Sequence, residues 1–519
     1  MSGSGWFGTL PLGKHAKSRS GRTEGVQGLV LSGGGSKASF QIGALRYLYE
    51  REHIAPRVIT ATSAGSILGA LLAQSSDPAK QLQAVHNVDR LWMSMQTSSD
   101  MFAEREWFSR LKTHSGLLDS LRQTDDSQAD VEQGEMGPDG ESPDSAAKPS
   151  GVLGILAHPL RSLAGDPPVN PLPEPPGEDG TENLAPQLMT VAMALAEEPP
   201  APVGWSPGLL YQLFSELPHI GRVGADLTSA WRGLESSRSF YKPGVILQRL
   251  LSRDFFHSED VTTSGMVLRC AFVGLESGEL RYMREDGRIV NRDDEPIGGG
   301  TFDISMGVLA SCSIPGVFRS VEMDDESYVD GGIRENVPVE MAVAHLGVTR
   351  PYVIIAGPPR MQAEPGIGSK DLLSVLYRVD SIRANESVRD EIGFAESTGA
   401  VLIAPEVLVH DSMTIDPGLL AINRGYGWMR AAEVVRGADA EAVELDKRII
   451  LARMEAWRQE NKMLMANDEP DDHDPYSPIG IAKDEVRRLV AQADPELLPP
   501  GAEDWPKAFE GHPGPSPVK

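Results

Sequence analysis

The chain has 519 residues, 40% of them apolar, with 74 acidic against 48 basic side chains and a net charge of −26. That length suffices for a sizeable core with appendages, and the acidic balance argues against nucleic acid and against broad attraction to anionic membranes. The two cysteines, Cys270 and Cys312, stand in apolar runs and read as buried free thiols, not as a disulfide framework.

Residues 1–24 read as a flexible lead with scattered positive charge at Lys14, Lys17, Arg19 and Arg22, and without the charged-then-apolar order of a signal peptide. No stretch reaches the ~20 apolar residues of a spanning helix. The expected location is cytoplasmic, with room for transient peripheral contact at membranes. A buried strand at Gly28–Leu31 then meets Ser32-Gly33-Gly34-Gly35-Ser36-Lys37-Ala38, and a helix follows with apolar positions at Ile42, Leu45 and Leu48. Consecutive glycines turn several N–H groups toward one point at the positive end of a helix. Such a cradle suits an anion, either a phosphate or the oxyanion of acyl transfer. Gly33-x-Gly35-x-x-Ala38 formally fits a dinucleotide fingerprint, but no acid closes the second strand, and Lys37 is followed by alanine where a Walker loop needs Ser or Thr. No nucleotide is expected.

The second strand, Val58–Thr62, runs into Ser63 and a small-residue helix, with Ala61 and Gly65 two positions either side of the serine. This is the build of a nucleophile elbow, a tight turn that holds a hydroxyl at its tip. From Thr124 to Pro200 the chain is crowded with Asp, Glu, Pro, Gly and Ser, a composition that cannot bury enough apolar surface to offset ordering. Residues 120–205 therefore read as a largely disordered insertion, its apolar islands at Val152–Ala157 and Leu188–Ala196 packing on the domain's own surface, and about 206–240 as lid-like.

Strands are predicted at Val267–Leu275, Glu279–Met283, Tyr352–Ala356 and Val401–Ala404. Helices are predicted at Pro243–Ser252, Ser305–Ser311, Pro338–Leu346, Lys370–Glu396 and about Leu419–Lys462. The alternation suits a central sheet with helices on both faces. Within it, a helix end at Ala310-Ser311-Cys312-Ser313-Ile314-Pro315 leads to a strand that delivers Asp330 to the turn Gly331-Gly332. Residues 467–519 read as an acidic, Pro-rich mobile tail. No metal motif is present.

Together, Gly33-Gly34-Gly35-Ser36-Lys37, Thr62-Ser63-Ala64-Gly65 and Asp330-Gly331-Gly332 resemble the patatin-like phospholipases, lipid acyl hydrolases. Ala310–Phe318 and Gly425-Tyr426-Gly427 match the same pattern, and the resemblance covers about Gly25 to Arg458. It implies a three-layer α/β/α fold with a mostly parallel central sheet and a catalytic domain spanning 25–466. It implies Ser63 as nucleophile, Asp330 as its base with no histidine between them, and Gly33, Gly34, Gly35 and Ser36 as the oxyanion hole. Lys37, Ala38, Ala61, Gly65, Gly331 and Gly332 would support these groups. No cofactor or metal is implied, and the expected partner is a lipid ester, a phospholipid above all. Two family glycines are alanine here: Ala38, expected just inside a helix and tolerated, and Ala61, expected beside the strained turn with a moderate loss of rate. The same parts also suit an acyltransferase or a catalytically weak lipid-binding protein.

Overall fold

A computed structural model describes residues 25–106, 238–361, 363, 366–367, 372–465, 476–507 and 510. The N-terminal lead, the 120–205 insertion with its apolar islands, and all but the end of the lid-like 206–240 stretch lie outside the described residues.

The chain opens with β1 (Gln27–Leu31), α1 (Ala38–Glu50), β2 (Val58–Thr62), α2 (Ala64–Ala73), α3 (Pro78–Trp92) and β3 (Phe102–Glu104). It continues with β4 (Tyr241–Pro243), α4 (Val245–Leu250), α5 (Ser258–Thr263), β5 (Val267–Gly274), β6 (Leu280–Arg284), β7 (Ile289–Val290) and α6 (Ile304–Ser311). Then come β8 (Val321–Met323), β9 (Glu326–Asp330), β10 (Arg350–Ile354), α7 (Leu372–Ser397), β11 (Val401–Ile403), α8 (Pro417–Arg436), α9 (Ala440–Met465) and α10 (Pro478–Val490).

A sheet of nine strands in the order β11-β10-β1-β2-β5-β6-β7, with β9 joined to β5 and β8, forms the centre. β11, β10, β1, β2 and β5 are parallel, which accounts for their continuous apolar runs: both faces are covered. The side chains divide with the period of a strand. Leu29, Leu31, Ile59, Tyr352 and Ile354 face the core shared with α1, α2 and α8, whereas Val30, Val58, Val353 and Ile355 face the core shared with α7 through Ile392 and Ala395. The result is the expected three-layer α/β/α arrangement.

Two helices on the first face meet backbone to backbone. A methyl group on Gly43 of α1 would stand 1.9 Å from the Arg424 carbonyl oxygen of α8, and one on Gly427 of α8 would stand 1.9 Å from that of Phe40. Reciprocal glycines let the axes approach where any side chain would hold them apart. Edge-on aromatic pairs, Phe40 with Tyr426 and Tyr47 with Trp428, flank the crossing.

The helix predicted over Leu419–Lys462 is two helices. Gly437 takes the left-handed conformation (φ 68°), and the Ala438 N–H closes on the Glu433 carbonyl, ending α8 before α9 begins. The predicted Pro338–Leu346 helix is present over residues 339–345, its last five residues, Met341–His345, wound as a π-helix. The tail expected to be mobile contains α10, capped by Ser477 with Pro478 at its first turn, and burying Ile479, Val486 and Leu489. Beyond it, Arg453 of α9 grips Glu510 in a buried ion pair at 2.6 Å and stacks on Trp505 at 3.8 Å. The high proline and acid content concealed an amphipathic helix. Among the described residues no helix is long and apolar enough to cross a membrane.

Candidate active site

The long central strand β5 brings Ser63 and Asp330 together. β2 runs parallel along one edge of β5 and stops where Thr62 pairs with Ala271. β9 arrives antiparallel on the same edge and ends where Asp330 pairs with Phe272, the next residue. Since β6 occupies the other edge of β5 at these positions, the two incoming strands must end against each other. Ser63 and Asp330 are the residues at which they turn away. The Ser63 hydroxyl stands beside the Asp330 carboxylate, close enough to favour its charged form, and both residues are only 6% exposed.

Ser63 holds φ 52° and ψ −130°, a conformation rare for any residue with a side chain. Its N–H donates to the Ser311 hydroxyl at 2.9 Å, and Ser311 is in turn 2.8 Å from the Ser66 hydroxyl. The helix end at Ala310–Ser313 therefore serves both residues, because the Ser313 carbonyl accepts the Asp330 N–H at 3.0 Å. Burial pushes the Asp330 carboxyl up to about 6, against the lowering effect of the neighbouring Ser63 hydroxyl and of the Gly332 N–H, which donates at 2.8 Å. A carboxylate raised this way is a stronger base yet still ionised near neutrality.

Space dictates the glycines around this pair. A methyl on Gly331 would stand 2.5 Å from the Ala271 carbonyl oxygen, and one on Gly65 would press at 2.6 Å on that of Ser32. In the glycine loop only Gly35 has a left-handed φ, of 55°. Gly33 and Gly34 are required by contact instead: a methyl there would lie 2.4 Å from Asn336 Oδ1 or from the Ala356 side chain. Ala38 has ordinary helical dihedrals (φ −60°, ψ −13°), and Ala61 lies within β2 with no positive φ. Neither alanine occupies a position that demands glycine.

The loop's amides are not equivalent. The Gly33 N–H donates to the Asn336 carbonyl at 3.1 Å, and the Ser36 N–H to the Ser412 carbonyl at 2.9 Å. Among the described residues no acceptor meets the N–H groups of Gly34 and Gly35, so these two are the ones open to an anion. The loop is held from behind by buried His410. Its Nδ1 bonds the Asp411 carbonyl at 2.8 Å, its Nε2 lies 3.3 Å from the Asn423 amide, and Asn423 also reaches the Ser39 hydroxyl at 2.9 Å. Burial lowers the His410 imidazole to about 4, so it is neutral and structural here. Lys37 is not a freely solvated lysine: its ammonium lies 3.0 Å from where a methyl on Gly357 would stand, and burial lowers it while Asp411 pulls it back up. His53 sits exposed at the end of α1, away from the chemistry.

Ser311, Asn336, His410 and Asn423 carry no local sequence signal of their own. Ser311 lies in the Ala310–Phe318 stretch that matches the family pattern and Asn336 just beyond the Asp330-Gly331-Gly332 turn, but neither pattern assigns the residue a role. Cys270 and Cys312 are both buried and unpaired. Among the described residues no cluster of ligating side chains fit for a metal ion occurs.

The sequence matches the family model of the patatin-like phospholipases over residues 29–182 and 188–343. Among solved structures it is similar to VipD from Legionella pneumophila, at 14% identity and a TM-score of 0.32, covering 90% of this chain and 80% of that one. It is also similar to the ExoU–SpcU complex from the type III secretion system of Pseudomonas aeruginosa, at 15% identity and a TM-score of 0.20, covering 91% and 67%. No curated protein sequence matches it.

Proposed function

The chain belongs to the patatin-like phospholipase family of carboxylic ester hydrolases, and from that premise we propose that it cleaves lipid esters through a Ser63–Asp330 dyad. The observation that carries this reading is the placing of Ser63 beside a buried carboxylate, Asp330, where β2 and β9 end against each other on β5. Serine is a poor nucleophile without an adjacent base, and the neighbouring carboxylate supplies one directly.

As Ser63 Oγ attacks the ester carbonyl carbon, its proton passes to Asp330. The carbonyl π pair moves onto oxygen, and that oxyanion is received by the N–H groups of Gly34 and Gly35, each such donor being worth ~3 kcal/mol in comparable sites. The tetrahedral adduct collapses, the C–O bond to the alcohol breaks, and Asp330 gives its proton to the leaving oxygen. Water then attacks the acyl-enzyme while Asp330 takes its proton. Collapse releases the fatty acid, and the proton returns to Ser63 Oγ. The family supports a lipid substrate, and a phospholipid is the ester we assign, met at the membrane surface by transient peripheral contact from the cytoplasm.

The test is a fluorophosphonate probe with phospholipid, triglyceride and monoester substrates. Wild type should be labelled and release fatty acid from phospholipid, and Ser63→Ala should lose labelling and roughly a thousandfold or more in turnover. Labelling that persists in Ser63→Ala would remove Ser63 from the mechanism. Transfer to added alcohol in place of free fatty acid would make the protein an acyltransferase.

A further inference from the structure

Glu391 stands on α7, on the face of the sheet opposite α1, and spends both carboxylate oxygens on one short run of backbone. Oε1 accepts the Asn336 N–H at 3.1 Å and Oε2 accepts the Val337 N–H at 2.8 Å. That run is the exit from the Asp330 turn. Its next link leads to the glycine loop, because the Asn336 carbonyl accepts the Gly33 N–H at 3.1 Å. The Asn336 side-chain oxygen fills the space between the two segments, 2.4 Å from where a methyl on Gly33 would stand and 3.3 Å from one on Gly332. A single carboxylate thus anchors the stretch that joins the base's turn to the loop beside the nucleophile.

We propose that Glu391 is a positioning residue for ester hydrolysis, fixing through Asn336 the glycine loop that receives the oxyanion. The inference rests on the reading of Ser63, Asp330 and the loop given above. An ionised carboxylate accepts both N–H groups. A protonated one turns a donor toward one of them and releases its grip, so the clamp depends on charge.

The surroundings set that charge. Glu391 borders a cavity of about 260 Å³ shared with Arg292, Arg334, Glu335, Glu340 and Asp390, the arginines pairing with other groups: Arg292 with Glu340, and Arg334 with Glu279 at 3.7 Å. Glu335 turns its carboxylate to the Tyr282 hydroxyl. Burial first, then the negative charge of Glu335 and, more weakly, of Asp390, push the Glu391 carboxyl up to about 8, while the two N–H bonds pull it down. Ionisation of Glu391, and with it the clamp, is therefore complete only on the alkaline side.

The experiment follows kcat and KM of the full chain on a soluble p-nitrophenyl ester from about pH 5 to 9.5, for wild type, Glu391→Gln and Glu391→Asp. Wild-type kcat should climb in two steps, one near 6 from Asp330 and one near 8 from Glu391. Glu391→Gln should lower alkaline kcat roughly tenfold or more with KM within about twofold, and should erase the upper step alone. Glu391→Asp should restore part of both. A Gln variant with wild-type kcat and an intact upper step overturns the proposal. So does a wild-type profile with only the lower step, a measurement that stands even where the variant fails to fold. Wild type without Ser63-dependent turnover would overturn the proposed function, and this inference with it. Turnover with an indifferent Gln variant overturns the inference alone.

Discussion

Ser63 is held in a strained backbone conformation (φ 52°, ψ −130°), of a kind that costs on the order of 1–3 kcal/mol and persists only when neighbours over-determine it. Ser311 is one such neighbour, since it is the acceptor for the Ser63 N–H. Replacing Ser311 by alanine would leave that buried N–H and the Ser66 hydroxyl short of a partner, at a cost of about 1–3 kcal/mol. Ser311→Ala should lower Tm and slow fluorophosphonate labelling, and Ser311→Thr, which keeps the hydroxyl, should recover much of both. Equal labelling rates in Ser311→Ala and wild type would mean that the turn holds without it. The two alanines that depart from the family pattern need no such support. Ala38 and Ala61 have dihedrals that any residue adopts, and nothing in the backbone there predicts the loss of rate expected from Ala61.

At the scale of elements, the crossing of α1 and α8 sets the position of the glycine loop, because α1 begins at the residue after Lys37. Gly427→Ala would drive a methyl to within 1.9 Å of the Phe40 carbonyl oxygen. The helices must then separate, and overpacking of this kind costs about 1–3 kcal/mol or more. Thermal melts should show that loss, and activity should fall beyond it, whereas Gly437→Ala at the α8–α9 break should disturb stability without touching the site. How much of this the sequence disclosed follows from the range of each interaction. β1, β2 and β5 were legible as short apolar runs, and the glycine loop and elbow as local patterns of small residues. Glu391 and Ser311 act on backbone far away in sequence, and a hydrogen bond across such a distance leaves no local trace. The break at Gly437 was missed because apolar periodicity continues on both sides of it. α10 was missed because prolines and acids around it dominated the composition.

For the whole molecule, several buried carboxyls share one tendency. Asp330, Glu335 and Glu391 are raised to about 6, 7 and 8, chiefly by burial. The buried pair Glu433 and Asp446, on α8 and α9, is likewise raised by burial; Asp446 raises Glu433 further, whereas its bond with Glu433 pulls Asp446 down. A carboxyl raised in the folded state keeps a proton that the unfolded chain has already released. Its contribution is present at low pH and is lost as pH climbs through the folded value. His410 has the opposite sense, but its effect is confined below about 6.5. Tm should therefore decline from pH 6 to pH 9, and a flat or rising profile over that range would contradict these assignments. The −26 net charge adds self-repulsion in the same direction.

The shared edge of β5 has a consequence for folding. Neither β2 nor β9 contains the site; it comes into being when both have docked end to end on the same strand, at Ala271 and Phe272. A one-residue slip of either strand would turn its terminal side chain to the other face. Ester turnover is thus a reporter of complete assembly, silent in any partly folded form that has paired β2 and β5 but not yet recruited β9. Because closure entropy rises only with the logarithm of length, roughly 0.6 kcal/mol per doubling for a flexible loop, a longer chain between β3 and β4 adds little to the cost of pairing β2 with β5, and the docking of β9 on β5 does not span that stretch at all.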